Sequence, residues 1–235
     1  MKKGIAAVLL LACLAAGDTK TQPDEKYIVV EAALRTQMPE IALAELNKLA
    51  PQERDGLYWI HLGRTLRALK RPLEAVEAYE KGMELNPKSA AGYNGIGMAY
   101  TEGGEADKGE SFLLKATELS PMEASYYHDL GKSYLIRRDY QKARQPLSIA
   151  LRLGGNKEIV NHLAIAMTLS GDEGGAKSLL MDHFDLHEVY CLLAEAYELG
   201  GHIPEAVERY QMALRARSDY RRAQERLDRI IGERP

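Results

Sequence analysis

Three residues that can ligate metals, His183, His187 and Cys191, follow one another at intervals of four positions. On one continuous helix they would share a face, and imidazole and thiolate groups are common ligands of zinc. The repeat frame described below places a turn at residues 184–186, which separates His183 from the other two. We therefore predict a solvated turn between helices at this point, with no metal and no cofactor.

The sequence offers little other catalytic chemistry. It contains no Gly-x-x-x-x-Gly-Lys loop for phosphate binding, and its serines and histidines follow no catalytic triad pattern. A formal net charge of −3 provides no basic surface for nucleic acid, while 46% hydrophobic residues are typical of a folded body. We predict a protein that is not an enzyme and that binds neither a small-molecule substrate nor nucleic acid.

The N-terminus has the layout of an export signal. Lys2 and Lys3 precede a short apolar run, which at about 13 residues is shorter than the roughly 20 that a membrane-spanning helix needs. Within this run, Leu10–Cys13 resembles the bacterial lipobox, in which cleavage precedes a cysteine that then carries lipid. The alternative is cleavage beside Ala15–Gly17 by an ordinary signal peptidase, which would release a soluble protein.

The lipobox interpretation divides the N-terminal region into two segments. Residues 1–12 would be a signal peptide, and residues 13–24 would be a flexible tether that begins with the lipidated Cys13. No other stretch of the sequence reaches the length of a membrane span. Membrane attachment would therefore depend on the lipid alone.

A repeat of about 34 residues organises the body of the chain. A large aliphatic residue followed by Gly or Ala recurs five times, at Leu62, Ile96, Leu130, Leu163 and Leu193. A small residue stands thirteen positions after each of these, at Ala75, Gly109, Ala143, Ala176 and Ala206. A period of 34 residues with helical patterning is the mark of tetratricopeptide repeats (TPRs), in which each unit is a pair of antiparallel helices.

We predict an all-α fold, a right-handed superhelical solenoid of about six TPR helix hairpins. The array would span residues 25–235, with a C-terminal capping helix over 221–232 that covers the last apolar face. The second helix of the fifth unit is expected to be about one turn shorter, because only 17 positions separate Ala176 from Leu193. Pro146 falls inside a predicted helix and should bend it.

The first helices of TPR units usually line the concave groove, so their exposed positions are the candidate binding residues. An Arg beside an Asn can hold a peptide carboxylate, and apolar neighbours can seat an amphipathic helix. Further along, the strip becomes acidic at Glu188, Glu195 and Glu198. The predicted groove residues are Ile60, Arg64, Arg67, Asn94, Met98, His128, Lys132, Leu135, Asn161 and Ile165.

The body of the chain resembles bacterial TPR lipoproteins of pilus and secretion assembly. The resemblance is carried by Tyr93–Ala99, by Val160–Met167 and by the shortened fifth unit before Leu193–Tyr197. In the sequence of these repeats it is similar to the Tad pilus assembly lipoprotein. It resembles the type IV pilus pilotin in its predicted lipid anchor and six TPR units. The carboxylate clamp of chaperone-binding TPR domains is not reproduced, because Ile60 stands in place of its first lysine.

This resemblance implies a function and a location. The protein would be a helper lipid-anchored at the periplasmic face of the outer membrane, where it binds a secretin subunit or another pilus or secretion component. Leu14 supports this location, because retention in the inner membrane often uses Asp after the lipidated cysteine. The alternative is a soluble periplasmic TPR adaptor that scaffolds other envelope or cell-wall proteins.

Overall fold

The computed structural model describes residues 24–232, and this part of the chain is helical throughout. Thirteen α-helices and two short 3₁₀ helices, Glu25–Tyr27 and Pro51–Glu53, are present in the described residues, with no strand among them. The α-helices are α1 Ile28–Arg35, α2 Pro39–Leu46, α3 Gly56–Ala68, α4 Pro72–Leu85, α5 Ala90–Glu102, α6 Ala106–Leu119, α7 Ala124–Ile136, α8 Tyr140–Arg152, α9 Lys157–Leu169, α10 Glu173–Met181, α11 Leu186–Gly200, α12 Ile203–Ala216 and α13 Arg221–Gly232.

The first twelve helices form six hairpins, in which a first helix packs against the second helix that follows it. The predicted all-α class, about six hairpins with one further C-terminal helix, is confirmed. The chain divides into two compact units, of which the first ends at Pro121 and the second begins at Met122. Within each unit, the first helices of neighbouring hairpins also contact one another.

Local sequence signals mark where the helices begin. The carboxylate of Asp55 accepts a 2.8 Å hydrogen bond from the backbone N–H of Tyr58, and Ser89 and Asn156 cap α5 and α9 in the same way. These side chains satisfy backbone donors that have no partner within the helix. Several second helices begin instead with a proline in the first turn, where a missing N–H costs little: Pro39, Pro72 and Pro204.

The turn inside every hairpin contains one residue with a positive φ angle. Three of these are glycines and three are not, in the series Gln37, Lys70, Gly104, Arg138, Gly171 and Gly201. A backbone N–H from the residue after each of them closes the turn onto the preceding helix. The shared geometry shows that the six turns are structurally equivalent, although their sequences differ.

Small residues bring the two helices of a hairpin into close contact, as the repeat pattern predicted. A methyl group added at Gly109 would lie 2.4 Å from the backbone oxygen of Gly97, so α5 and α6 meet backbone against backbone. A methyl group on Gly131 would lie 2.4 Å from the side chain of the buried Leu147. The pairs at 34-residue spacing are therefore the contact points of the hairpins.

Two irregularities appear at the positions indicated by the sequence. Helix α10 has 9 residues, whereas the second helices on either side, α8 and α12, have 13 and 14. Pro146 lies inside α8 and is buried there. The shortened fifth hairpin is confirmed.

Helix α13 covers the apolar end of the last hairpin. Its buried residues Ala223, Leu227 and Ile230 form one cluster with Tyr210 and Ala213 of α12. This packing matches the predicted capping helix.

The predicted signal peptide, Cys13 and the tether up to residue 23 lie outside the described residues. No helix in the described range 24–232 combines the length and apolar character that a membrane span requires. Attachment through Cys13 stays a prediction.

Candidate partner-binding site

A cationic cavity lies beside the first helices of the first unit. It has a volume of about 260 Å³ and is lined by Leu34 of α1, by Arg64, Arg67 and Ala68 of α3, by Lys70 of the following turn and by Glu102 of α5. We call it the cationic pocket. Three cationic side chains and one carboxylate surround it, next to the apolar wall of Leu34.

An ion pair within the pocket fixes one of its arginines. Arg67 donates two hydrogen bonds to Glu102, from Nε at 3.1 Å and from Nη2 at 2.6 Å. This bidentate arrangement holds the guanidinium plane in place and links α3 to α5. Glu102 thereby serves as an internal partner, so the pocket keeps an excess of positive charge.

Arg64 is an exposed cation of the pocket. Its side chain lies one helical turn before Arg67 on α3, and it forms no ion pair with any residue in the range 24–232. The turn after α3 brings Lys70 to the same cavity through a backbone with φ 60°. A carboxylate entering the pocket would meet both groups without displacing an existing ion pair.

A pair of histidines forms the most distinctive polar contact of the second unit. Nε2 of His128 on α7 lies 2.7 Å from Nδ1 of His162 on α9, and their ring centroids are 5.0 Å apart. One carboxylate oxygen of Glu158, one turn before His162, lies within 4.8 Å of a ring nitrogen of each histidine. Burial lowers the pKa of both histidines, to about 4 for His162, so both rings are neutral at pH 7.

Two successive stretches of the chain match family models described as tetratricopeptide repeat, over residues 56–89 and 90–121. They coincide with the second and third hairpins of the structure. Residues 56–121 contain two tetratricopeptide repeats. No curated protein matches the sequence.

Solved structures of other proteins share the fold. YrrB, titled a TPR protein with an unusual peptide-binding site, is 18% identical over 74% of this chain and 92% of that chain, with a TM-score of 0.54. MamA from Desulfovibrio magneticus RS-1 is 20% identical over 67% and 90%, with a TM-score of 0.55. The APC/C hetero-tetramer Cut9–Hcn1 is 14% identical over 91% of this chain and 43% of that chain, with a TM-score of 0.63. Such identities establish the TPR fold alone.

Three predicted groove residues of the TPR array are buried, so their assignment to an exposed groove was wrong. Ile60 is 7% exposed, Asn94 is 8% exposed and Met98 is 1% exposed. Within each unit, a first helix packs against its own second helix and against a neighbouring first helix, and the glycines of α5 allow especially close contact. These three side chains therefore belong to the packing of the repeat.

The other predicted groove residues of the TPR units keep some exposure. Arg64 is exposed, and the remainder are half-buried: Arg67, His128, Lys132, Leu135, Asn161 and Ile165. The structure brings Arg64 and Arg67 together in the cationic pocket. It brings His128 together with His162 and Glu158, which the sequence analysis missed. The 34-residue interval between the two histidines was the available signal, because it places them at equivalent repeat positions.

The acidic end of the predicted strip is largely neutralised by the capping helix, which corrects the sequence analysis. Arg222 of α13 donates two hydrogen bonds of 2.7 Å to Glu195, and Arg226 donates one of 3.2 Å to Glu198. Tyr210 also donates its hydroxyl to Glu198 at 2.6 Å. The arginines of α13 are thus partly engaged in ion pairs and do not form a purely solvated face.

His183, His187 and Cys191 do not converge on one site. His183 lies exposed in the turn between α10 and α11, whereas Cys191 is buried inside α11. Burial raises the pKa of the Cys191 thiol to about 12, so this side chain is a neutral thiol at pH 7. His187 lies near Asp185 and Glu188, but these two residues form the capping box of α11.

Proposed function

We propose that this TPR protein is a non-catalytic adaptor that holds an acidic segment of a protein partner in the cationic pocket. TPR arrays are protein-interaction scaffolds, and the two matched repeats place this chain among proteins built in that way. The observation that carries the proposal is the exposed guanidinium of Arg64 beside Lys70 and the fixed Arg67. Charge-assisted hydrogen bonds from arginine to carboxylate are among the strong contacts available to a protein surface.

The shape of the pocket supports a peptide as the ligand. Leu34 and Ala68 supply apolar surface beside the cations, so an acidic side chain or a chain terminus with an apolar neighbour would fit. The similarity to YrrB supports the same class of ligand, since YrrB is a TPR protein with an unusual peptide-binding site. The negative charge of Glu102 would repel a second carboxylate close to Arg67. The pocket therefore favours a ligand with one carboxylate at this point.

We also propose that the adaptor is lipid-anchored at the periplasmic face of the outer membrane and that its partner is a secretin subunit of a pilus or secretion system. The support is the lipobox-like Leu10–Cys13 behind Lys2 and Lys3, together with the resemblance to pilus-assembly lipoproteins. One acyl chain binds a membrane only marginally, so stable attachment requires the multiple chains that a lipobox cysteine carries. Such an anchor would deliver the bound partner to the membrane into which it inserts.

The test is co-isolation of the secretin with the full chain from detergent-solubilised envelopes. Arg64→Glu reverses the exposed charge and should weaken binding by about 2 kcal/mol, or roughly 30-fold, as expected of an interface hot spot. Arg215→Glu is the matched control, because Arg215 is exposed on α12 and lies outside the pocket. Equal recovery of the secretin with both variants would contradict binding at the pocket, and recovery with neither the parent nor the control would contradict the secretin.

A soluble periplasmic adaptor remains the second candidate, and Ala15–Gly17 is the observation that favours it. Cleavage there would remove Cys13 and release the TPR units into the periplasm. The mass of the mature N-terminus separates the two. A lipidated Cys13 at the N-terminus supports the anchored protein, and an unmodified Asp18 supports the soluble one.

A further inference from the structure

The contact between His128 and His162 places two neutral imidazole nitrogens face to face without a carboxylate between them. The 2.7 Å separation of Nε2 and Nδ1 means that one ring donates a hydrogen bond to the other. Both rings are half-buried, and the exposed side chain of Glu158 brings an anionic group within 4.8 Å of a ring nitrogen of each histidine. Neutral imidazole is the form of histidine that binds transition metals.

The backbone holds the three side chains in a fixed relation. His128 and His162 occupy equivalent positions in α7 and α9, the first helices of successive hairpins of the second unit, and these two helices contact each other. Glu158 lies four residues before His162, so the two side chains share one face of α9. Three ligands from two packed helices make a site that exists before any ion arrives.

We propose that His128, His162 and Glu158 form a binding site for Zn²⁺. Two imidazoles and one carboxylate are a donor set that zinc accepts in a tetrahedral arrangement, with the fourth position open to water or to a group from a partner. Magnesium and calcium prefer oxygen ligands throughout, so the two nitrogens favour a transition metal. The repeat period creates the site, because it places two histidines at equivalent positions of successive hairpins.

The geometry requires only a small adjustment. With zinc–ligand distances of about 2.1 Å, ligand atoms of a tetrahedral site lie about 3.4 Å apart. The two imidazole nitrogens must therefore separate by roughly 0.7 Å from their 2.7 Å contact, while the exposed Glu158 side chain rotates toward them. Rotations of side chains within the helices supply both movements without a change of fold.

The charge of Lys132 provides a test that distinguishes metal binding from a purely structural role of the two histidines. Lys132 lies one turn after His128 on α7, and its positive charge lowers the pKa of both histidines. The same charge must oppose a divalent cation at the site. Removing it in Lys132→Gln should therefore tighten Zn²⁺ binding several-fold.

The experiment is calorimetric titration of the purified full chain, free of any polyhistidine tag, with Zn²⁺. One ion should bind per chain, and His128→Ala or His162→Ala should weaken binding by more than about 100-fold, because even changes outside the ligand shell cost about 10- to 100-fold. Co²⁺ replacing the zinc should give the visible absorption of a tetrahedral site, lost in the same variants. His187→Ala is the matched control and should bind as the parent does.

Several results would overturn the site. These are no binding by the folded parent, unchanged affinity in a folded His162→Ala variant, or loss of binding in His187→Ala alone. Circular dichroism establishes that each variant is folded. If His162→Ala fails to fold, Glu158→Gln takes its place, since Glu158 is exposed and its amide keeps the size of the side chain. Unchanged affinity in that variant would equally contradict the site.

Discussion

At the scale of single residues, His61 couples stability to pH. It is 5% exposed, its ring centroid lies 4.7 Å from that of Tyr27, and its Nδ1 has no hydrogen-bond partner among the described residues. Burial, with a smaller contribution from the charge of Arg64, lowers the pKa of His61 to about 4. Glu31 lies 3.8 Å from Nε2, too far for a strong hydrogen bond. The folded protein thus keeps this ring neutral.

The sign of the pH effect follows from the lowered pKa. Below the ordinary histidine pKa of about 6.5, His61 is protonated in the unfolded chain. In the folded chain it stays neutral until the pH approaches 4. We expect this residue to reduce the free energy of unfolding by about 2 kcal/mol between pH 7 and pH 5. Chemical denaturation at both pH values should show a smaller loss for His61→Leu than for the parent. An equal loss would show that His61 titrates normally.

At the scale of helices, the contact of α5 with α6 depends on two glycines. A methyl group in Gly109→Ala would meet the backbone oxygen of Gly97, which cannot rotate away, so the helices must separate. Overpacking of this kind costs about 1–3 kcal/mol, and we expect a loss of that size in the free energy of unfolding.

A second glycine gives the control for this prediction. Gly174 lies in α10, and a methyl group added there meets nothing within 4 Å. Gly174→Ala should stabilise the protein by about 0.5–1 kcal/mol, since alanine is the better helix former and restricts the unfolded chain. Denaturation curves in which both substitutions act with the same sign would contradict the packing described for α5 and α6.

The sequence was sufficient to predict the helices and their contacts, because the 34-residue period reports packing directly. Leu130, Ala143 and Ala176 are all buried, as their repeat positions predicted. The period reports less about which faces stay exposed. Asn94 was placed in the groove by its position alone, but the glycines around it draw the neighbouring helices close enough to bury it.

Contacts between residues that lie far apart in the sequence could not be predicted from the sequence alone. Arg222 and Glu195 are 27 positions apart and belong to no common motif, so their ion pair was not predictable from spacing. The same is true of Arg67 and Glu102, whose bond shapes the cationic pocket. The meeting of His128 and His162 was visible in principle at the repeat period, yet their facing orientation depends on the packing of α7 against α9.

At the scale of the whole molecule, the proposed attachment through Cys13 can be tested apart from folding. Cys13 lies outside the described residues, and the helical units begin after it. Cys13→Ser should leave the melting temperature of the units unchanged, because the described buried residues form clusters within residues 24–232. The variant should accumulate as an uncleaved precursor or leave the membrane fraction. A wild-type protein found in the soluble periplasmic fraction with Asp18 at its N-terminus would contradict the anchor.

The central claim is that a partner binds at the cationic pocket, and cross-linking in cells tests it most directly. A photoreactive residue in place of Ala68, which is exposed and lines the pocket, reports on what lies there. We predict one cross-linked adduct with an envelope protein, lost when Arg64→Glu is added and retained with Arg215→Glu. An adduct whose yield is the same in all three backgrounds, or no adduct in any, would contradict the account.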